Sequence, residues 1–349
     1  MGMKAVVKTA PGPGAELREL DVPRPGPGEI LVKVRAASIC GTDYHIYRWD
    51  PWSAGRVRPP LVLGHEFCGE VAELGPGVDT LSVGDYVSAE SHVVCGACLQ
   101  CLTGQAHVCR NTRILGVDRD GCFAEYVVIP AANAWRNPPG LPADVASMQE
   151  PLGNAVHTAL HFPLVARTVA VVGCGPIGLA AVGIARAAGA ARVLAAEVNP
   201  YRQALAARMG AHRVIDPGRE DLAEALLAET GGLGVDVLLE MSGHPDAIRA
   251  GLRGTRSGGE VALLGLPSAP LELDLGGEVV MRGLTLQGIT GRRLWQTWYQ
   301  MRALLDSGVL DVTRVITHRL PLEEFRLGME LMARGECGKV VVYPGGVPS

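Results

Sequence analysis

A chain of 349 residues, 48% hydrophobic and 19% charged, has the length of about two domains and the composition of a globular protein, not a disordered one. Its net charge of −4, with Lys and Arg dispersed, argues against nucleic acid as a partner. Neither a charged-then-apolar N-terminus nor an apolar run of about 18 residues occurs, so no secretory signal and no membrane span are expected. A cytoplasmic location follows, and there nine cysteines read as metal ligands or core thiols before disulfides.

The N-terminal half is punctuated like a β domain. Residues 4–8 and 29–37 are strand-like, separated by the Pro/Gly cluster at 23–28. Further short strands are expected at 69–75, 83–89 and 123–129, with turns at Gly75-Pro76-Gly77 and Asp118-Arg119-Asp120-Gly121. Such a series predicts a compact, barrel-like β domain up to about residue 150. The pattern then changes to alternation: strand 168–172, helix 176–188, strand 192–197, helix 200–209, strand 212–216, helix 220–230, strand 235–240 and strand 259–265. Strands separated by helices of this length predict βαβ units and a parallel sheet. A helix from about 292 holding Trp295, Trp298 and Met301, a helix at 321–334 and a strand at 338–343 close the chain.

Three groups of residues carry chemistry. The first is Cys95, Cys98, Cys101 and Cys109, four thiols within 15 residues. Four thiolates can surround one ion tetrahedrally and leave no place for a substrate, which is the pattern of structural zinc. The second is Gly173-Cys174-Gly175-Pro176-Ile177-Gly178, after one predicted strand and opening a helix. Gly173 permits the tight turn, Gly175 lets a pyrophosphate approach the backbone, and Gly178 lets helix and strand come close. Glu197 ends the next strand, 19 residues beyond Gly178, where a carboxylate accepts from ribose hydroxyls and repels a 2′-phosphate. That favours NAD over NADP; Arg202 lies near enough to pack on adenine, though an Arg at this place also suits a 2′-phosphate.

The third group runs from Cys40 to Glu66, a loop-rich stretch of 27 residues. Cys40 and His65 are plausible ligands of a second zinc. A catalytic zinc takes three protein ligands and keeps one place open, and the third ligand is either Glu66 or Glu150. The remaining thiols Cys68, Cys122, Cys174 and Cys337 are read as buried or loop residues.

These segments resemble the zinc-dependent medium-chain alcohol dehydrogenase family, almost end to end from Lys4 to Tyr343. The resemblance rests on Cys40-Gly41-Thr42-Asp43, Gly64-His65-Glu66, the four-Cys lobe and Gly173–Gly178. Longer matches at Ser38–Tyr47, Gly121–Tyr126, Glu150–Thr158 and Gly291–Trp298 are similar to the members that act on L-threonine. The resemblance implies an α/β architecture: a GroES-like β-rich catalytic domain from residues 1–152 and 293–349, with a structural zinc lobe at 90–112. A Rossmann doubly wound parallel-sheet domain, residues 153–292, is inserted. It implies that Cys40, His65 and Glu66 match the catalytic zinc positions and that Thr42 and His45 match a proton-relay pair. Glu150 matches an acidic residue beside the metal, which relays a proton or exchanges as a ligand. Ile177, Glu197, Arg202, Leu264-Gly265-Leu266 and Ile289-Thr290 match NAD-binding positions. Glu197 stands where Asp is common in the family.

The activity implied is oxidation of the secondary alcohol of L-threonine to 2-amino-3-oxobutanoate, in threonine catabolism, with one catalytic and one structural zinc per chain and a homotetrameric assembly. A polyol or 2,3-butanediol dehydrogenase on the same scaffold is the alternative. Arg292 or Arg293 is the candidate for the substrate carboxylate, and Glu90 or Glu150 for its ammonium.

Overall fold

The computed structural model describes residues 2–267 and 269–348. The chain forms two compact units, Met1–Glu150 with Ile316–Ser349, and Pro151–Val315. The sequence reading places its boundaries after residues 152 and 292, so the two agree closely at the first crossing but the structure keeps residues 293–315 with the second unit.

In the first unit a seven-stranded sheet is organised around the strand Glu29–Ser38. Its apolar positions Ile30, Val32 and Val34 join one core with Phe67, Val71, Val87, Ile129 and Val342. Burying each such aliphatic side chain contributes roughly 1.5–3 kcal/mol. One edge of Glu29–Ser38 pairs antiparallel with Glu66–Leu74. The other edge is divided. Tyr126–Pro130 takes its first half, and Lys339–Tyr343, from the far end of the sequence, takes its last residues. In this register Ser38 faces Glu66 on one side and Val341 on the other. The Ile39 N–H also donates to the Val340 carbonyl at 2.9 Å. A separate three-stranded sheet joins Gly2–Lys8, Glu16–Asp21 and Leu61–Val62. The strand Glu16–Asp21, sequence ELRELD, carries no apolar alternation, and it is held as a strand by pairing with Gly2–Lys8.

The Cys40–Glu66 stretch is more regular than its loop-rich composition predicts. Cys40 caps a helix at Gly41–Arg48, a second helix follows at Pro51–Arg56, and Glu66 opens a strand. Gly64, immediately before His65, has φ +90, and a Cβ there would lie 2.2 Å from the Phe123 ring. Only glycine fits this turn.

The second unit holds six parallel strands in the spatial order Arg213–Ile215, Arg192–Ala196, Thr168–Val172, Val235–Glu240, Thr255–Leu263, Thr285–Gly288. Numbered along the chain this is 3-2-1-4-5-6, the doubly wound order of dinucleotide-binding sheets. The strands bury Val, Leu and Ala on both faces, as a parallel sheet covered by helices requires. Several elements escaped the sequence reading, among them a helix and an edge strand. The helix Pro245–Gly254 starts with Pro at its first turn and buries Ile248 and Leu252. The edge strand Thr285–Gly288 is four residues long and has no fully buried residue to signal it. Among the described residues no helix is long and apolar enough to cross a membrane.

Candidate metal centres and nucleotide cleft

Cys40, His65 and Glu66 converge although they come from a helix cap, a turn and a strand. Each brings a ligand atom within 4.8 Å of the others. Asp43 ties two of them together. Its Oδ2 accepts from the Cys40 N–H at 2.9 Å, and its Oδ1 lies 3.3 Å from His65 Nδ1. With Nδ1 turned to Asp43, Nε2 is the ring nitrogen left for an ion. Burial opposes protonation of His65, but the charges of Asp43 and Cys40 outweigh it and hold the imidazole well above its ordinary value. The surroundings thus favour a cation at this point.

Glu66 is fully buried and its two oxygens differ. Oε2 accepts from Ser38 Oγ and pairs with the ammonium of Lys339. Oε1 has no hydrogen-bond partner among the described residues. Burial pulls the Lys339 ammonium down, yet Glu66 and then Cys40 outweigh it and raise the group above its usual value, so the lysine is charged. Thiolate, imidazole and carboxylate in one pocket, with a buried carboxylate oxygen left over, fit a zinc ion.

Around this cluster, Thr42 Oγ1 lies 3.8 Å from Cys40 Sγ. His45 is one helical turn from Gly41 and faces solvent, its Nδ1 2.5 Å from Asp50 Oδ2. Glu150 stands apart from the three-residue group and hydrogen-bonds Ser91 Oγ through Oε1. Its charge still reaches Glu66, whose carboxyl it pushes up together with burial.

The four thiols of the lobe also meet. Sγ–Sγ distances are 3.5 Å for Cys98–Cys101, 3.8 Å for Cys98–Cys109 and 3.5 Å for Cys95–Cys109. Backbone N–H groups of Cys95 and Asn111 donate to Cys109 Sγ, each at 3.4 Å. Hydrogen bonds led by the Ala97 N–H bring the Cys95 thiol down to about 6. Sulfurs in mutual contact, fed by N–H donors and partly exposed, are a closed tetrahedral donor set with no side open to a substrate.

In the second unit a cleft of about 640 Å³ is lined by Gly173, Gly175, Glu197, Arg202, Ser242 and His244, among others. Gly173 has φ +90, and a Cβ there would approach the Ser242 backbone within 2.8 Å. A Cβ on Gly178 would lie 1.9 Å from the Gly173 carbonyl oxygen, whereas one on Gly175 would meet nothing within 4 Å. The first two glycines therefore permit close backbone packing, and Gly175 leaves the helix N-terminus of Pro176–Ala187 open. Glu197 is fixed by the Cys174 N–H at 2.8 Å and the Asn199 N–H at 2.9 Å. The Arg202 Nε is buried without a partner among the described residues. Ile177 and Gly178 sit in the first turn of the helix. Leu264-Gly265-Leu266 and Ile289-Thr290 follow the carboxyl ends of their strands, outside the lining of this cleft. The Leu264 and Gly265 N–H groups donate to the Glu240 carbonyl.

Two side chains that hold Glu66 were given no role in the sequence reading: Ser38 and Lys339. The second had a signal. It is one of four lysines in the chain and heads an otherwise apolar strand, where a charge needs a buried partner. Arg292 is almost fully buried, packs on Gly153 and donates to Asn154 Oδ1 at 3.1 Å, so its guanidinium is engaged inside its own unit; Arg293 is exposed.

Residues 26–139 match the profile of the Alcohol dehydrogenase GroES-like domain, and residues 176–307 that of Zinc-binding dehydrogenase. The chain is 56% identical over 343 residues, 98% of both sequences, to an L-threonine 3-dehydrogenase of Symbiobacterium thermophilum. Among solved structures it is similar to a protein of Sinorhizobium meliloti described as a zinc-binding dehydrogenase bound to NADP. The TM-score is 0.91 at 33% identity, covering 99% of this chain and 100% of that one. A 2R,3R-butanediol dehydrogenase of Bacillus subtilis gives a TM-score of 0.89 at 28% identity, covering 98% and 100%.

Proposed function

Because the chain belongs to the zinc-binding, GroES-like alcohol dehydrogenases, we propose that it oxidises L-threonine at its secondary alcohol, giving 2-amino-3-oxobutanoate, NADH and a proton. The observation that carries this is the 56% identity, over 98% of each sequence, to an L-threonine 3-dehydrogenase. The first unit is the catalytic domain and the second the nucleotide domain. Cys40, His65 and Glu66 hold the catalytic zinc. Cys95, Cys98, Cys101 and Cys109 hold a structural one.

A zinc ion held there supplies Lewis acidity that acidifies the alcohol hydroxyl, and NAD supplies the hydride acceptor. The chain's own residues do the rest. Asp43 orients His65, and Ser38 with Lys339 orients Glu66. Thr42 Oγ1, beside Cys40 Sγ, takes the hydroxyl proton while handing its own onward, as the hydride leaves the threonine Cβ. His45, whose Nδ1–H is donated to Asp50, keeps Nε2 to accept that proton and passes it to water. Glu150, held by Ser91, is the second acidic group of the relay. Gly173, Gly175, Ile177 and Gly178 take the pyrophosphate, and Glu197 and Arg202 the adenosine half. Leu264, Gly265, Leu266, Ile289 and Thr290 face the nicotinamide half. The anchored Glu197 carboxylate selects NAD by repelling a 2′-phosphate.

The assembly is a cytoplasmic homotetramer, supported by exposed Leu99 and Leu102 on the lobe and Val280 and Met281 beside the edge strand. The test is a panel of L-threonine, sorbitol, xylitol and 2,3-butanediol, each with NAD and NADP, read by absorbance of the reduced nicotinamide. L-Threonine with NAD is expected to give the highest kcat/KM. A polyol or the diol in first place would overturn the assignment.

A further inference from the structure

Lys339 is 2% exposed and Glu66 is not exposed at all. Burying an ammonium is costly unless it is paired, so the position of this lysine needs a reason. Its partner is specific. Lys339 pairs with Oε2 of Glu66, the oxygen that also accepts from Ser38 Oγ. The other oxygen, Oε1, has no hydrogen-bond partner among the described residues and belongs to the carboxylate that meets Cys40 and His65. The backbone fixes this arrangement. Ser38 is the register partner of both Glu66 and Val341, and Ile39 donates to the Val340 carbonyl, so the three side chains arise from adjacent strands of one sheet.

We propose that Lys339, helped by Ser38, is a clamp that occupies Glu66 Oε2 so that the carboxylate presents one oxygen, Oε1, to the catalytic metal. The inference rests on the reading of Glu66 as a metal ligand. A carboxylate free to turn can bind an ion through both oxygens. With Cys40 and His65 that would give four protein donor atoms, and the place an alcohol needs would be taken. The clamp keeps the donor count at three. The lysine also offsets part of the negative charge that Cys40, Glu66, Asp43 and Glu150 gather around the ion. Lys339 is therefore a positioning residue, acting through Glu66.

The test uses full-length enzyme carrying cobalt in the catalytic centre and zinc in the four-Cys lobe, and reads the visible d–d bands, which are intense for four-coordinate cobalt and weak for five-coordinate. Lys339→Met is expected to lower band intensity by roughly half or more, as the freed carboxylate adds a donor atom. Lys339→Arg restores wild-type intensity, and Ser38→Ala gives a smaller loss in the same direction. Wild-type intensity in Lys339→Met overturns the clamp; if that variant does not fold, wild-type intensity in Ser38→Ala overturns it. Glu66→Gln separates the two levels. An altered spectrum or lost cobalt in Glu66→Gln with unchanged bands in Lys339→Met means that Glu66 is a ligand without a clamp. A wild-type spectrum in Glu66→Gln means that the ligand reading itself fails.

Discussion

The two candidate metal-ligand clusters of the first unit are built on opposite plans. The four thiols of the lobe come from 15 consecutive residues, lie partly at the surface and satisfy one another. They carry two short helical turns and a two-stranded ribbon, and little apolar area. The Cys40, His65 and Glu66 group is set in buried strands and turns, its carboxylate is answered by a lysine 273 positions along the chain, and one oxygen is left over. A closed site can be written locally because its ligands need only reach the ion. An open site must also be stopped from closing, and that takes residues brought from elsewhere in the fold.

This contrast can be broken by mutation. Cys40→Ser is expected to abolish turnover, by about 10³-fold or more given the several kcal/mol of transition-state stabilisation a Lewis acid supplies. It should also remove one zinc per chain while the unfolding temperature stays near wild type. Enzyme assay with metal analysis and calorimetry checks this, and full activity would remove Cys40 from the catalytic centre. His45→Asn should lower kcat about 10²-fold with the metal content unchanged, since general-base transfer contributes at least that much. Stopped-flow kinetics with zinc analysis tests it. Cys98→Ser should instead cost one zinc and lower the unfolding temperature by roughly 5–10 °C, with the remaining folded enzyme still turning over. If both cysteine variants lose activity and stability alike, the division into chemical and structural centres falls.

The smallest effect concerns how the lobe is braced. Burial pushes the Asp118 carboxyl up, but hydrogen bonds from Arg56 and the Ile114 N–H outweigh it and hold the group below its usual range. Ile114 lies in the ribbon that returns from the lobe. A carboxylate with a lowered value in the folded state stabilises that state above its unfolded value of about 3.9, and the contribution is lost as pH falls through the lower folded value. Asp118→Asn should therefore cost about 1 kcal/mol at pH 7, read as faster exchange of the Ile114 amide. The gap between variant and wild type should close as pH falls through the lowered folded value. A gap independent of pH would mean that the carboxylate's charge is not what braces the ribbon.

Much of this molecule is written in short range. The four-Cys spacing and the glycines at 173, 175 and 178 are local patterns whose geometry follows from a few bonds. The strand–helix alternation from residue 168 follows from local hydrophobic period, and the parallel order 3-2-1-4-5-6 realises it. Less legible were elements whose conformation depends on a neighbour. Glu16–Asp21 is a strand because Gly2–Lys8 lies beside it, and the helix Gly41–Arg48 is hidden by a composition typical of turns. Arg292 reads in the sequence as a candidate for a substrate carboxylate, and only the fold places it beside Gly153 and Asn154.

The sequence by itself determined the donor atoms: which thiols, imidazole and carboxylates exist, and how they are spaced along the chain. What tertiary structure alone decided is how Glu66 is used. Sheet pairing carries Lys339 across the whole insertion to lie against Oε2, and leaves Glu150 on Ser91. A β register is set by hydrogen bonds between strands distant in sequence. No local pattern can state which oxygen of a carboxylate will be held by a lysine that arrives with the last strand.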